Sequence, residues 1–234
     1  MAEIKKAAPK GAIRRRKSDE QIPNVSSAVI KRLPRYYRYL RQLLADDIRR
    51  ISSGELSRMM NVTASQIRQD FNCFGGFGQQ GYGYNVKYLY TKIGELLGVT
   101  SNLSAIILGA GNLGSALASS PIFERRGIRL KALFDTNPEL VGTYKYGFPV
   151  LGTDELESYI KENKIDIGII TIPRDMAPEM AEKIAQYGIR GIWNFTSREL
   201  DVSRFGVVTE NVHLGDSLMN LCYNITDKKK EKEE

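Results

Sequence analysis

Apolar residues recur along this chain first at helical spacing and then in short runs between helices, and the change divides it in two. Over 26–51 the apolar positions Tyr36, Tyr37, Leu40, Leu43, Leu44 and Ile48 repeat at intervals that line one helix face, predicting a long amphipathic helix. Pro34 is expected in the first turn of its main part, where a missing amide donor costs little. Ser52 with Glu55, and Thr63 with Gln66, have the spacing of capping boxes. They predict two short helices, one ending near Met60 and one reaching about Asn72, joined by a turn at Asn61-Val62. Two capped helices across a tight turn are the skeleton of a helix-turn-helix. The glycine–aromatic run over 75–84 predicts a β-hairpin wing, because glycine supplies the positive-φ turns of a short hairpin. Asn85 caps a further helix with Val86, Leu89, Ile93, Leu96 and Leu97 on its apolar side, and Gly98 ends it.

From Asn102 onward, short apolar runs at 105–108, 130–134, 148–151, 167–172, 189–195 and 207–208 predict strands. Between them, 113–119, 154–162 and 178–186 are helical in pattern. Such alternation predicts a Rossmann-type parallel sheet with helices on both faces. The expected fold class is α/β, with a winged helix-turn-helix domain over 24–98 and a Rossmann domain over 99–212. A basic arm over 1–23 precedes them, expected to be disordered. A C-terminal helix over 213–226 and a charged, frayed tail over 227–234 follow.

Charge sharpens the division. Residues 1–80 carry 16 Lys/Arg against 7 Asp/Glu, while the 234-residue chain has a net charge of +7, so residues 81–234 sum to −2. That asymmetry points to an anionic polymer bound by the N-terminal part, with a solvated basic face as the alternative. No apolar run approaches the roughly 18 residues of a membrane span, and the basic N-terminus lacks the apolar core of a secretory signal. Cys73 and Cys222, without CxxC spacing, are expected as reduced thiols of a cytoplasmic protein. His213 is the sole histidine, so neither a metal site nor histidine-dependent catalysis is expected.

The candidate chemistry has two centres. Gly109-Ala110-Gly111-Asn112-Leu113-Gly114 has the spacing of a dinucleotide fingerprint, lying between a predicted strand and helix. The first glycine allows a tight turn, the second lets a pyrophosphate approach the backbone, and the third lets helix pack on strand. Asp135 ends the next strand, 21 residues after Gly114, where a carboxylate should hydrogen-bond the adenosine ribose. A 2′-phosphate would be repelled there, so NAD(H) is preferred over NADP(H). Thr171-Ile172-Pro173 and Asn194-Phe195 follow strand ends, where the ligand crevice of this architecture lies, and are candidate walls for ribose and nicotinamide or else simple strand-terminating turns. In the other centre, the helix over 63–72 should expose Ser65, Gln66, Arg68 and Gln69 with Ile67 and Phe71 inward. Arginine suits guanine and glutamine suits adenine by bidentate contact in the major groove. Lys31, Arg32, Arg35 and the basic arm are candidates for phosphate or minor-groove contacts.

At these residues the chain resembles the Rex family of bacterial redox-sensing transcriptional repressors, over about 24–225. The resemblance is carried by Gln66-Ile67-Arg68-Gln69-Asp70-Phe71, Phe74-Gly75, Gly81-Tyr82-Gly83-Tyr84, the 109–114 glycine turn with Ser115-Ala116, Phe134-Asp135, Thr171-Ile172-Pro173-Arg174 and Asn194-Phe195. It implies a homodimer whose winged helices bind a palindromic operator, with Rossmann domains at the dimer core and the C-terminal helix swapped onto the partner subunit. It implies release of DNA by NADH, with competing NAD⁺ permitting repression of fermentation and respiration genes. Three features depart from the family. Gln69 stands where many relatives carry Lys, which predicts an operator richer in A·T at that position. Gln80 replaces an Arg of some relatives in the wing, removing one phosphate contact per subunit. Ser120 and His213-Leu214 stand where some relatives have Tyr and Asp-Phe near the nicotinamide, which lowers the discrimination expected between NADH and NAD⁺. Two other readings compete: an NAD-dependent oxidoreductase with a basic extension, and a DNA-binding regulator that senses another nucleotide such as coenzyme A. The enzyme would need a substrate domain and a proton donor near the nicotinamide, and the chain runs only one short helix past its Rossmann strands.

Overall fold

The computed structural model describes residues 26–73, 78–79 and 82–233 and divides into two compact units, Met1–Leu97 and Gly98–Glu234. The basic arm, residues 74–77 of the glycine–aromatic loop and Gln80 lie outside the described residues.

The first unit opens with α1 (Ser27–Ala45), started by the Ser26 hydroxyl accepting from the Val29 amide. Its buried stripe is Val29, Leu33, Tyr36, Tyr37, Leu40 and Leu43. The helix ends before the expected Ile51. Asp47 takes a left-handed φ of 51°, and the chain enters β1 (Arg50–Ile51) instead. Pro34 also lies deeper than expected, inside α1 but on an exposed position where the carbonyl it orphans can face water. The reciprocal capping box of Ser52 and Glu55 launches α2 (Ser53–Met60), which ends at a left-handed Asn61. The Thr63 hydroxyl accepts from the Gln66 amide and starts α3 (Ala64–Asn72). The expected reciprocal bond is not made, because the Gln66 side chain turns to Asp70.

β2 (Gly78–Gln79) and β3 (Gly83–Asn85) pair antiparallel, and β3 also pairs β1, giving a three-stranded wing in the order β1-β3-β2. Asn85 caps α4 (Val86–Leu96) by accepting from the Tyr88 amide. Phe71 of α3 ties the layers together: its ring lies 5.0 Å from Tyr36 of α1 and 5.0 Å from Tyr84 of β3. α3 is thereby fixed against both the first helix and the wing.

The second unit is a seven-stranded sheet. In chain order it comprises β4 (Leu103–Leu108), α5 (Asn112–Ser119), β5 (Ile128–Asp135), β6 (Tyr144–Lys145), β7 (Phe148–Gly152), α6 (Leu156–Asn163), β8 (Ile167–Ile170), α7 (Ala177–Gln186), β9 (Gly191–Asn194), β10 (Val208–Asn211) and α8 (Leu214–Glu233). The strand order is β10-β9-β8-β4-β5-β7-β6, parallel throughout except for the antiparallel edge strand β6. The chain goes outward from β4 to one side, then returns to start β8 on the other. That reversal is the topological switch point of a doubly wound sheet, and it puts a crevice beyond the carboxyl ends of β4 and β8.

Alternation along β4 separates the two faces. Ile106 and Leu108 join Phe134 and Ile170 against Leu156 and Ile160 of α6 and Ala181 and Ile184 of α7. Ala105 and Ile107 join Leu133 and Ile169 against Ala118 of α5 and Phe123. The segment expected as a frayed tail continues α8 to Glu233. Leu214, Leu218, Leu221 and Ile225, spaced along one side of that helix, are each more than half exposed.

Candidate functional site

β4 delivers the glycine turn to the switch point. Gly109 has a φ of 102°, and a Cβ there would come within 3.0 Å of the Thr171 backbone, so turn and close approach both require glycine. Gly114 is more constrained still: a Cβ would sit 1.9 Å from the Gly109 carbonyl oxygen, which is the contact between α5 and the turn. A Cβ at Gly111, by contrast, meets nothing within 4 Å. Room therefore remains where an anion would approach the amides at the start of α5, at the positive end of its dipole.

Asp135 stands at the end of β5, beside this turn. Its Oδ2 accepts from the Ala110 amide at 2.7 Å and its Oδ1 from the Asn137 amide at 2.9 Å. An ionised carboxylate has about four acceptor positions, so both oxygens keep capacity for ribose hydroxyls. The Thr171 hydroxyl lies 2.9 Å from both the Leu108 and Gly109 carbonyls and closes the floor between β4 and β8. The crevice so formed encloses about 170 Å³. Gly109, Gly111, Asp135, Thr171, Ile172 and Pro173 line it. Ala110 and Gly114 are buried beneath it, while Asn112 and Leu113 form the first turn of α5.

Thr136, Thr153, Met176 and Met180 also line the crevice and were not foreseen. Met176 and Met180, four residues apart at the start of α7, had a helical spacing that could have marked a face; Thr153 becomes a neighbour only through the pairing of β7 with β5. Lys145 was missed as well, for a similar reason. Its ammonium donates to the Ala110 carbonyl at 2.8 Å and to Ser115 Oγ at 3.0 Å.

Asn194 and Phe195, expected as candidate walls, are not among the residues that line this crevice. Asn194 is fully buried, its amide donating to the Arg198 carbonyl and Asn211 Oδ1 while its Oδ1 accepts from the Thr196 amide and hydroxyl. With two donors and two acceptor positions engaged, it locks the loop after β9 and leaves nothing for a ligand. Phe195 packs edge-on to Trp193 at 4.5 Å, against the apolar layer shared with α5.

In the first unit, a buried carboxylate organises α3. Asp70 accepts from Arg32 Nε and Nη2, both at 2.7 Å, from the Tyr36 hydroxyl at 2.8 Å and from Gln66 Nε2 at 2.8 Å. Burial alone would raise its pKa, but the bonds from Arg32, Tyr36 and Gln66 together outweigh that and hold the carboxyl below its ordinary value. The same contact raises Arg32, and burial followed by the bond to Asp70 pushes the Tyr36 phenol well above its usual range.

Two expected contact residues are partly engaged as a result. Arg32 is tied into the framework, its guanidinium clamped bidentately on Asp70 through two of its five N–H groups. Gln66 turns its amide nitrogen toward Asp70, because a carboxylate can only accept, which engages one of its two N–H groups and leaves the other and the carbonyl oxygen. Arg35 donates to the Met60 carbonyl at the end of α2 and so is also tied to the domain. Lys31, Ser65, Arg68 and Gln69 are exposed, with Arg68 giving one donor to Ser53 Oγ at 3.1 Å. Arg50 of β1, not foreseen, lies at the wing, donating to the Tyr82 carbonyl at 3.1 Å with its guanidinium 5.8 Å from the Tyr82 ring. Among the described residues no cluster of His, Cys, Asp and Glu could hold a metal ion, and no helix is long and apolar enough to cross a membrane.

Comparison with known proteins divides the chain at the same place. A family model described as "Putative DNA-binding protein N-terminus" matches residues 24–72, and one described as "CoA binding domain" matches residues 100–198. The redox-sensing transcriptional repressor Rex of Caldicellulosiruptor saccharolyticus is 52% identical over 211 residues, covering 90% of this chain and 96% of that protein. The Rex repressor of Clostridioides difficile is 52% identical, covering 86% of this chain and 95% of its own. Among solved structures, RSP in complex with β-NAD⁺ and operator DNA aligns with a TM-score of 0.82 at 51% identity, covering 89% of this chain and 96% of that one. RSP in complex with β-NADH aligns with a TM-score of 0.82 at 48% identity, covering 90% and 98%. RSP is itself a Rex-family repressor. With half its residues identical along nearly its whole described length, this chain belongs to the Rex family of redox-sensing transcriptional repressors.

Proposed function

We propose that this protein binds a palindromic operator through α3 and its wing, and releases it when NADH fills the crevice beside Asp135. The observation that carries the nucleotide half is the placement of the Asp135 carboxylate on the Ala110 amide, at the lip of an open glycine turn. That arrangement matches an adenosine ribose with free hydroxyls and a pyrophosphate at the start of α5. When bound, NAD(H) supplies a nicotinamide whose redox state is the signal. Gly109, Ala110, Gly111, Asn112, Leu113 and Gly114 would cradle the pyrophosphate, Asp135 the ribose, and Thr171, Ile172 and Pro173 the path toward the nicotinamide. Relatives of known structure hold β-NAD⁺ with operator DNA, and β-NADH.

On DNA, Arg68 and Gln69 project from the exposed face of α3 to base edges, Ser65 and the remaining amide groups of Gln66 supply further polar contacts, and Lys31 and Arg50 meet phosphates. The apolar side chains along α8 support a homodimer in which this helix packs on the partner subunit, since a lone helix exposing them has nothing to stabilise it in water. Reduced nicotinamide then favours a dimer whose recognition helices no longer match successive major grooves. The protein acts without catalysis, and its operator target places it in the cytoplasm.

Coenzyme A is the second reading, favoured by the family model over 100–198. Its ribose phosphate would face the Asp135 carboxylate, and like charges there argue against it. Calorimetry with NADH, NAD⁺, NADPH and coenzyme A separates the readings. NADH binding at least tenfold tighter than coenzyme A, with release of a labelled palindromic duplex, is the expected result; tight coenzyme A binding with no response to NADH would sink the proposal.

A further inference from the structure

β6 does something a two-residue edge strand need not do. It is the antiparallel strand added outside β7, and it carries Lys145 back over the start of α5. There the ammonium donates to the Ala110 carbonyl at 2.8 Å and to Ser115 Oγ at 3.0 Å, and the Ser115 hydroxyl itself donates to the same carbonyl at 2.9 Å. On the other side of the residue, the Ala110 amide donates to Asp135. Both peptide planes that flank Ala110 are therefore held by side chains from other parts of the sheet.

The second of those planes matters for a ligand. A trans peptide is planar, and its N–H points away from its C=O. Holding the Ala110 carbonyl toward Lys145 and Ser115 consequently fixes the direction of the Gly111 N–H, and Gly111 lines the open crevice. A cation on the carbonyl also polarises that peptide, making its N–H a stronger donor to an anion. Lys145 is only half-buried, so its charge also acts at the turn through a short, partly desolvated path.

We propose that Lys145 is a positioning residue of the nucleotide site: it presets the Ala110–Gly111 peptide for a pyrophosphate and adds a positive charge at that turn. This rests on reading the crevice as the NAD(H) site. Preorganised donors favour binding because they need no rearrangement when the anion arrives.

The test uses the full chain carrying Lys145→Met, which keeps most of the unbranched side chain without the charge, and Lys145→Arg. NADH and ADP-ribose, which has the pyrophosphate but no nicotinamide, are titrated by calorimetry at low and high salt, and thermal melting is followed alongside. The expected result is a loss of about tenfold in affinity for both ligands in Lys145→Met at low salt, shrinking at high salt, with Lys145→Arg closer to the unsubstituted protein. NADH binding within about twofold of the unsubstituted protein would overturn the role of Lys145 and leave the NAD(H) reading standing. A loss confined to NADH, or equal at low and high salt with a lowered melting temperature, would overturn it too, marking a nicotinamide effect or a structural prop. Failure of the unsubstituted protein to bind either ligand would overturn the NAD(H) reading and this inference together.

Discussion

Asp135 and Asp70 are both carboxylates that accept several hydrogen bonds, yet burial gives them opposite work. Asp135 stands at the crevice lip with acceptor capacity remaining, and in the proposed function its charge is what would select among nucleotides. Replacing it with Ala should weaken NADH binding by about 10- to 100-fold, the size of lost charge-assisted hydrogen bonds, and should narrow the preference for NADH over NADPH. Fluorescence titration of both nucleotides checks this, and an unchanged NADH/NADPH ratio would count against the assigned ribose contact. Asp70, fully buried, is saturated by Arg32, Tyr36 and Gln66. Asp70→Ala should destabilise the first unit by about 1–3 kcal/mol, because it takes the acceptor from the Tyr36 hydroxyl and the Gln66 amide, while the Arg32 guanidinium, about a third exposed, can turn to water. The pH dependence follows in sign: a carboxyl held below its unfolded value near 3.9 stabilises the fold above that pH, and the contribution disappears as pH falls through the lower folded value. Urea unfolding should therefore show a gap between wild type and Asp70→Asn that is constant above about pH 5 and closes in stronger acid.

At the scale of elements, legibility in the sequence followed the range of the interactions. Helix starts were readable because their caps are local: Ser52 with Glu55, Thr63 with the Gln66 amide and Asn85 with Tyr88 all act within three residues. The glycine turn and Asp135 were readable because their spacing is set by one βαβ unit. Features decided by distant partners were not. The end of α1 depends on β1 pairing with β3, more than thirty residues later. β6 is two residues long and shows no period, so Lys145 stayed hidden until the sheet brought it to Ala110. Asn194 was placed correctly past a strand end, but its orientation is dictated by Arg198, Thr196 and Asn211. Two expectations belong to elements as wholes. In α3, Gln69→Lys should move operator preference at the contacted position from A·T toward G·C, measurable with a panel of substituted duplexes; an unchanged preference would remove Gln69 from base reading. In α8, Leu218→Asp should shift a dimer toward monomer in sedimentation, since it puts a charge on the apolar side of the helix. A variant as dimeric as wild type would show that α8 is not the packing element.

The whole molecule joins a nucleotide crevice and a DNA-reading helix in one polypeptide, connected in sequence through α4 and the left-handed Gly98. Coupling between them is a thermodynamic statement: a ligand shifts the DNA-binding state only by its differential affinity for the two states. NADH binding and operator binding must then weaken each other by the same factor. The direct measurement is operator affinity of the full chain on a palindromic A·T-rich duplex, with no nucleotide, with saturating NADH and with saturating NAD⁺. The account predicts at least a tenfold weaker operator complex with NADH, and a complex with NAD⁺ close to that of the free protein. Equal operator affinity under all three conditions, with NADH shown to be bound, would contradict it.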